Sequence, residues 1–126
     1  MLCTKVYQLN KCLHGIDAFY EIELPDISLF VYPIGAVLGK ANYSNYFLVY
    51  QQCGIGSNHD IYPTLEEYVS LHPGASIIGN CVIEKNSKIS AGSLIMDSNL
   101  EKDSVYIGNT LSFVTKKSHK RLSIWE

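Results

Sequence analysis

Three histidines stand where an imidazole could do chemistry: His14, His59 and His72. An imidazole with an ordinary pKa near 6.5 can take a proton from a weak nucleophile at neutral pH, the task of a general base. His59 lies beside Asp60 in the segment SNHDIYP. It reads either as a base with an acidic partner on a short loop or as an exposed turn histidine, since adjacent side chains seldom point at each other. His72 either touches a ligand or covers a contact between subunits. His14, ahead of Gly15 and Asp17, could reach across a subunit boundary or simply bond the last carbonyls of a helix. Tyr43, Tyr46 and Tyr50 form an aromatic patch whose spacing favours packing over base stacking. Glu66 and Glu67 are consecutive, so on a strand they face opposite sides and do not share an acid–base role. Cys3, Cys12, Cys53 and Cys81 form no CxxC pair and have no histidine at ligand spacing. They read as reduced, small core residues, and no metal site is expected.

The composition narrows what surrounds these residues. The chain has 126 residues, a net charge of −2 and 47% apolar residues, which suits one globular domain. No apolar run is long enough to span a membrane. The start, MLCTKVYQLNK, lacks the apolar core of a secretory signal, so a cytoplasmic location is expected. Lys116, Lys117, Lys120 and Arg121 cluster near the end, with no aromatic residue among them. That pattern reads as a solvated tail rather than a nucleic-acid patch.

The positioning elements come from a repeat. From Leu65 an aliphatic residue recurs every six positions: Leu65, Leu71, Ile77, Ile83, Ile89 and Ile95. Three residues after each stand Tyr68, Gly74, Asn80, Asn86, Gly92 and Ser98, mostly types that tolerate tight or left-handed backbone. One position further on stand Val69, Ala75, Cys81, Ser87, Ser93 and Asn99, all small or medium. A six-residue period fits neither a continuous strand nor a 3.6-residue helix. It fits short flat strands joined by sharp corners, one aliphatic per side pointing inward and three sides to a coil of about eighteen residues. The fold class is therefore all-β, a parallel β-helix.

Upstream, Phe47 and Cys53 keep the same phase, with Gln51 and Ser57 in the small-residue column, before NHDIYPT interrupts as a bulging turn. Gly35 to Ala41 suggests a looser coil, and after Ile95 the register slips by one residue, with Val105 and Ile107 closing the last coil. Three and a half to four coils are expected. The flanks differ: residues 5–24 read as a short helix that becomes extended from Phe19 to Leu24. Trp125 is expected to pack on a neighbouring surface, because exposing it is costly. The boundaries are a cap segment at 1–30, the β-helix at 31–110 and a tail at 111–126.

The segments YPIGAVLGKANYSNYFLVYQQCGIGS, HPGASIIGNCVIEKNSKISAGSLIMDSNL and DSVYIGN resemble the serine acetyltransferase-like branch of the hexapeptide-repeat acyltransferases. The resemblance implies a left-handed β-helix, a homotrimer, and a CoA-dependent O-acyltransferase that uses acetyl-CoA on a small hydroxyl acceptor such as serine or a sugar. In that family the cofactor lies between subunits, a histidine is the general base, and backbone N–H groups near glycines hold the oxyanion. Carried across, the base position is Tyr32 with Val31 in place of its orienting aspartate, and a second family histidine matches Tyr62 before Pro63. A phenol with an ordinary pKa near 10 is a poor base at neutral pH.

On the cofactor side the resemblance points to Gly56, to Gly74 and Ala75 in HPGA, and to Ala91 and Gly92 in SAG. Pro73 has no N–H to offer there. Only about thirty residues stand where that branch carries a helical N-terminal domain, which implies a minimal or shortened member. Two functions follow: an active acyltransferase whose base has moved to His59 or His72, or a catalytically silent trimeric binding or assembly protein.

Overall fold

The computed structural model describes residues 2–18 and 21–126, without the side chains of Asn10, Leu13 and His14. Helix α1 (Leu2–His14) leads into a left-handed parallel β-helix of five coils. The first coil carries β1 (Asp17–Ala18) and β2 (Ser28–Phe30), the second β3 (Val37–Leu38) and β4 (Phe47–Val49). The third carries β5 (Gly54–Gly56), β6 (Thr64–Leu65) and β7 (Ser70–Leu71). The fourth carries β8 (Ser76–Ile78), β9 (Val82–Ile83) and β10 (Lys88–Ile89). In the fifth, β11 (Leu94–Met96) leads to β12 (Ser104–Asn109), which β13 (Ser112–Lys117) pairs antiparallel.

Three faces result. Face A stacks β1, β3, β5, β8 and β11; face B stacks β2, β4, β7, β10 and β12; face C is β6 and β9, extended by the bridges Asn42–Thr64 and Ile83–Leu100. Each strand is two to six residues long because a corner follows at once. The interior is a stack of aliphatics on each face: Leu38, Ile55, Ile77 and Ile95 on A, Val49, Leu71 and Ile89 on B, Leu65 and Ile83 on C, all buried. Ala36, Cys53, Ala75 and Ser93 fill one corner, where the interior is narrow.

The coil count corrects the expected three and a half to four. β1 and β2 pair in register with β3 and β4, inside the segment read as a cap, because backbone pairing continues below the clean aliphatic column. Phe19 and Tyr20 lie outside the described residues, and Glu21 and Ile22 form a turn and a bend rather than extended chain.

The upstream phase is also corrected. Ile55 pairs with Ile77 and Leu65 with Ile83, so ten positions separate Ile55 from Leu65 where six separate Ile77 from Ile83. The four additional residues shift the phase. Val49 and Ile55 are the inward aliphatics, whereas Cys53 belongs to the corner column with Ala75, and Phe47 aligns with Val69. The loop ends in a two-residue turn: Asn58 and Ile61 exchange both backbone hydrogen bonds, at 2.9 and 3.0 Å, with His59 and Asp60 between them at φ 50° and 60°.

At the top, the slip of one residue is real but its inward residues differ. Leu100 stacks on Ile83 and Tyr106 on Ile89, and both are buried, while Val105 and Ile107 face outward. The left-handed residue also stands one position earlier than the column expects. It is Gly79 and Asp97, not Asn80 and Ser98, that take φ 82° and 48° between faces A and C. Asp97 ties three coils there, accepting from the Asn80 N–H and the Asn58 amide, each at 2.8 Å.

The four basic residues of the tail are exposed, as expected, but the tail does not hang free. It runs along the corner between faces C and B, where the Ser118 N–H donates to the Asp103 carbonyl at 2.7 Å and His119 meets the Asp103 carboxylate at 3.2 Å. The Arg121 guanidinium lies 4.1 Å from the centre of the Tyr68 ring, itself stacked on Tyr46 at 4.3 Å. Trp125 meets Tyr46 edge-on at 5.5 Å, the packing expected of it. Of the cysteines, Cys53 and Cys81 are core residues, but Cys3 and Cys12 are exposed on α1. No helix among the described residues is long and apolar enough to cross a membrane.

Candidate active site

Side chains alternate across a strand, so Ser70 and His72 project from the same side of face B and its edge. Register places Lys88 and Ser90 one coil above them, and Leu48 and Tyr50 one coil below. His72 is half-buried in this grid. Its ring stacks on Tyr50 at 5.3 Å and 20°, and its Nε2 lies 3.4 Å from the Ser70 hydroxyl. The backbone holds it from both sides: the His72 N–H donates to the Ile89 carbonyl at 3.0 Å, and the His72 carbonyl accepts from the Ala75 N–H at 3.0 Å. Burial, with the Lys88 ammonium second, pushes the imidazole below its ordinary value, so the ring is neutral at pH 7 and able to accept a proton.

The corner between faces B and A follows directly. Gly74 and Gly92 stack there with φ 74° and 68°, conformations that cost an L residue strain. A Cβ added at Gly92 would meet nothing within 4 Å, so the surface above it is open. The amides, however, are largely taken. Gly74 N–H donates to the Gln51 carbonyl, Ala75 N–H to His72, and Gly92 N–H to Pro73, at 2.9 to 3.0 Å. Ala91 N–H has no such partner among the described residues, and Ala91 is exposed. The cofactor-side residues thus offer open space and one free donor rather than a row of donors.

Tyr32 sits on this corner two coils lower, next to Val31, which occupies the same column as His72. It is 78% exposed at φ 48°, in a corner lengthened by two residues: seven positions separate Phe30 from Val37 where five separate Val49 from Gly54. No cation stacks on Tyr32 among the described residues, whereas Lys40 lies 4.9 Å from the centre of the Tyr62 ring.

His59 and Gly56 belong elsewhere. Gly56 ends β5, and His59 stands exposed on the loop that follows, at the corner between faces A and C. Its electrostatic partner is Asp97, whose carboxyl is held below the usual range first by the Asn80 N–H, then by the Asn58 amide, with His59 contributing less. No ion pair joins His59 to Asp60 among the described residues. Within one chain the structure therefore brings together His72, Gly74, Ala75, Ala91 and Gly92, and sets His59 and Gly56 across face A from them. The readings of His14 lie outside the described side chains.

The other candidates pack. Tyr43 donates to the Gly39 carbonyl at 2.6 Å and meets Phe47 edge-on, and burial pushes its phenol up. A Glu66 oxygen accepts from the Lys85 N–H at 2.8 Å, and Glu67 faces solvent. A cavity of about 560 Å³ beneath the tail, lined by Tyr68, Lys85, Arg121 and Trp125, lies on the corner between C and B and is no part of this cluster. Ser70 and Lys88 were not singled out in sequence. The signal that finds them is positional: two residues before His72, and eighteen after Ser70.

No known family profile matches the chain, and neither does any curated protein. Its backbone, however, is similar to solved structures of serine acetyltransferases. One in complex with CoA is 20% identical, with a TM-score of 0.80 over 91% of this chain and 48% of its own. That of Neisseria gonorrhoeae is 20% identical, with a TM-score of 0.81 over 97% and 50%. That of Vibrio cholerae is 17% identical, with a TM-score of 0.81 over 94% and 47%. The chain has the hexapeptide-repeat β-helix of the serine acetyltransferases, and it spans about half the length of the structures it matches.

Proposed function

We propose that the protein is a CoA-dependent O-acyltransferase, with acetyl-CoA as donor and a small hydroxyl compound such as serine or a sugar as acceptor. The observation that carries this reading is His72: a neutral imidazole, stacked and hydrogen-bonded, directly beside the open corner at Ala91 and Gly92. His72 is the general base in place of Tyr32. It takes the proton of the acceptor hydroxyl as that oxygen bonds to the thioester carbonyl carbon. The Ala91 N–H faces the oxyanion. The carbon–sulfur bond then breaks, and the same proton passes from His72 to the departing CoA sulfur. Gly56, Gly74, Ala75 and Gly92 line the path of the cofactor, and a homotrimer would set the His59 loop of one chain near the His72 corner of the next. A cytoplasmic location suits the donor.

The test is release of free CoA from acetyl-CoA with serine and a panel of amino sugars. Turnover in wild type that falls by about 10²-fold or more in His72→Ala supports the reading. A loss confined to His59→Ala moves the base to the loop.

The second reading is a catalytically silent trimeric binding module. It is favoured by Tyr32 and Tyr62 at the family's histidine positions and by the bonded amides of Gly74, Ala75 and Gly92. Absence of turnover with every acceptor, together with absence of CoA binding, selects it.

A further inference from the structure

The surroundings of His72 contain two polar side chains with no role in the account so far. Ser70 is 2% exposed, and a buried hydroxyl needs a partner. The other buried serines find backbone partners: Ser87 and Ser104 donate to the Glu101 and Lys102 carbonyls, and Ser93 accepts from the Gly108 N–H. Among the described residues Ser70 has only the His72 Nε2. Lys88 is the register partner of Ser70 one coil above. Its Nζ donates to the Lys120 carbonyl at 2.8 Å, so the tail anchors the ammonium at this level of the face. Nδ1 of His72 has no protein partner among the described residues.

We propose that Ser70 and Lys88 are positioning residues for His72. Ser70 accepts from Nε2–H and fixes the ring, leaving Nδ1 as the nitrogen that takes the proton, while the Lys88 ammonium opposes protonation of the ring. The inference rests on reading His72 as the base. The ionisable groups packed around the ring agree with it. Tyr50 covers one face, the buried Cys53 thiol lies 3.1 Å from the His72 carbonyl, and Asp103 acts on Lys88 rather than on the ring. Arg121 of the tail is held against Tyr68.

The experiment is an NMR titration of the His72 ring in the full chain, assigned by its loss in His72→Gln, for wild type, Lys88→Met, Lys88→Arg and Ser70→Ala. Nitrogen shifts report the tautomer and carbon shifts the titration midpoint. Lys88→Met moves the midpoint to higher pH and Lys88→Arg restores it. Wild type holds the Nε2–H tautomer, and Ser70→Ala mixes the two. In the acyl-transfer assay the acid limb of kcat/KM follows the NMR midpoint, and Ser70→Ala lowers kcat by about tenfold with KM nearly unchanged. An unmoved midpoint in Lys88→Met, or an unchanged tautomer in Ser70→Ala, overturns the inference. Absence of turnover in wild type, with the ring still responding to Lys88 and Ser70, defeats the acyltransferase reading alone.

Discussion

An imidazole's usefulness as a base depends on being neutral yet reachable, and His72 meets both conditions through its neighbours. Burial lowers its proton affinity first, Lys88 second, while Tyr50 stacks on one face of the ring. The same depression has a consequence for stability. The unfolded chain binds this proton with an ordinary pKa near 6.5, more readily than the folded chain does. Above that pH both states are neutral at this site and it contributes no pH dependence. As pH falls below about 6.5 the unfolded state gains protons first, so folding stability drops until the folded value is passed. Melting temperatures between pH 7.5 and 5 are expected to fall in wild type and to fall less in His72→Gln. Equal slopes for the two proteins would mean that other groups dominate.

The corners between strands are held by left-handed residues and by hydrogen bonds between coils. On the A/C side, Gly79 has φ 82°, and a Cβ added there would strike the Asp97 carboxylate and come within 2.9 Å of the Asn58 Cβ. Gly79→Ala therefore combines left-handed strain with the loss of a three-coil tie, and is expected to cost about 2–4 kcal/mol in denaturant melts. Gly92→Ala meets nothing within 4 Å and should cost only the strain, about 1–2 kcal/mol. A cost at Gly92 equal to that at Gly79 would show that backbone strain, and not the Asp97 tie, holds the corner. This contrast was not legible in the six-residue columns. They assign Asn80 and Ser98 to the turning position, whereas Gly79 and Asp97, one position earlier in each coil, take the left-handed conformation, and Asp97 accepts from the Asn80 N–H.

At the scale of the molecule, a solenoid of five coils leaves faces of unequal character. The tail crosses beside face B, and α1 joins the lowest coil through the Lys11–Asp17 ion pair at 2.8 Å. On face A the outward column runs Val37, Gly54, Ser76 and Leu94. This face separates the two corners that hold His72 and His59. If the site is shared between copies, sedimentation should show a trimer, and dilution to monomer should remove activity. Saturating CoA at about a hundred times its Kd should raise stability by about 2.7 kcal/mol. A stable monomer that binds CoA with this shift would leave the site within one chain and His59 outside it.

The sequence by itself determined the β-helix, because a repeat that places an aliphatic every six residues has no other way to bury a continuous column. It also marked His72, the glycine corner, and the absence of histidine at Tyr32 and Tyr62. What only the tertiary structure decided was register across interruptions. The four residues added before Leu65 and the one missing after Met96 change which residues stack, and a linear period carries no information about pairing across a loop. The same is true of Ser70 and Lys88, eighteen positions apart in the chain and adjacent on face B. The environment of His72 is a property of stacking, so it exists only once the coils have closed.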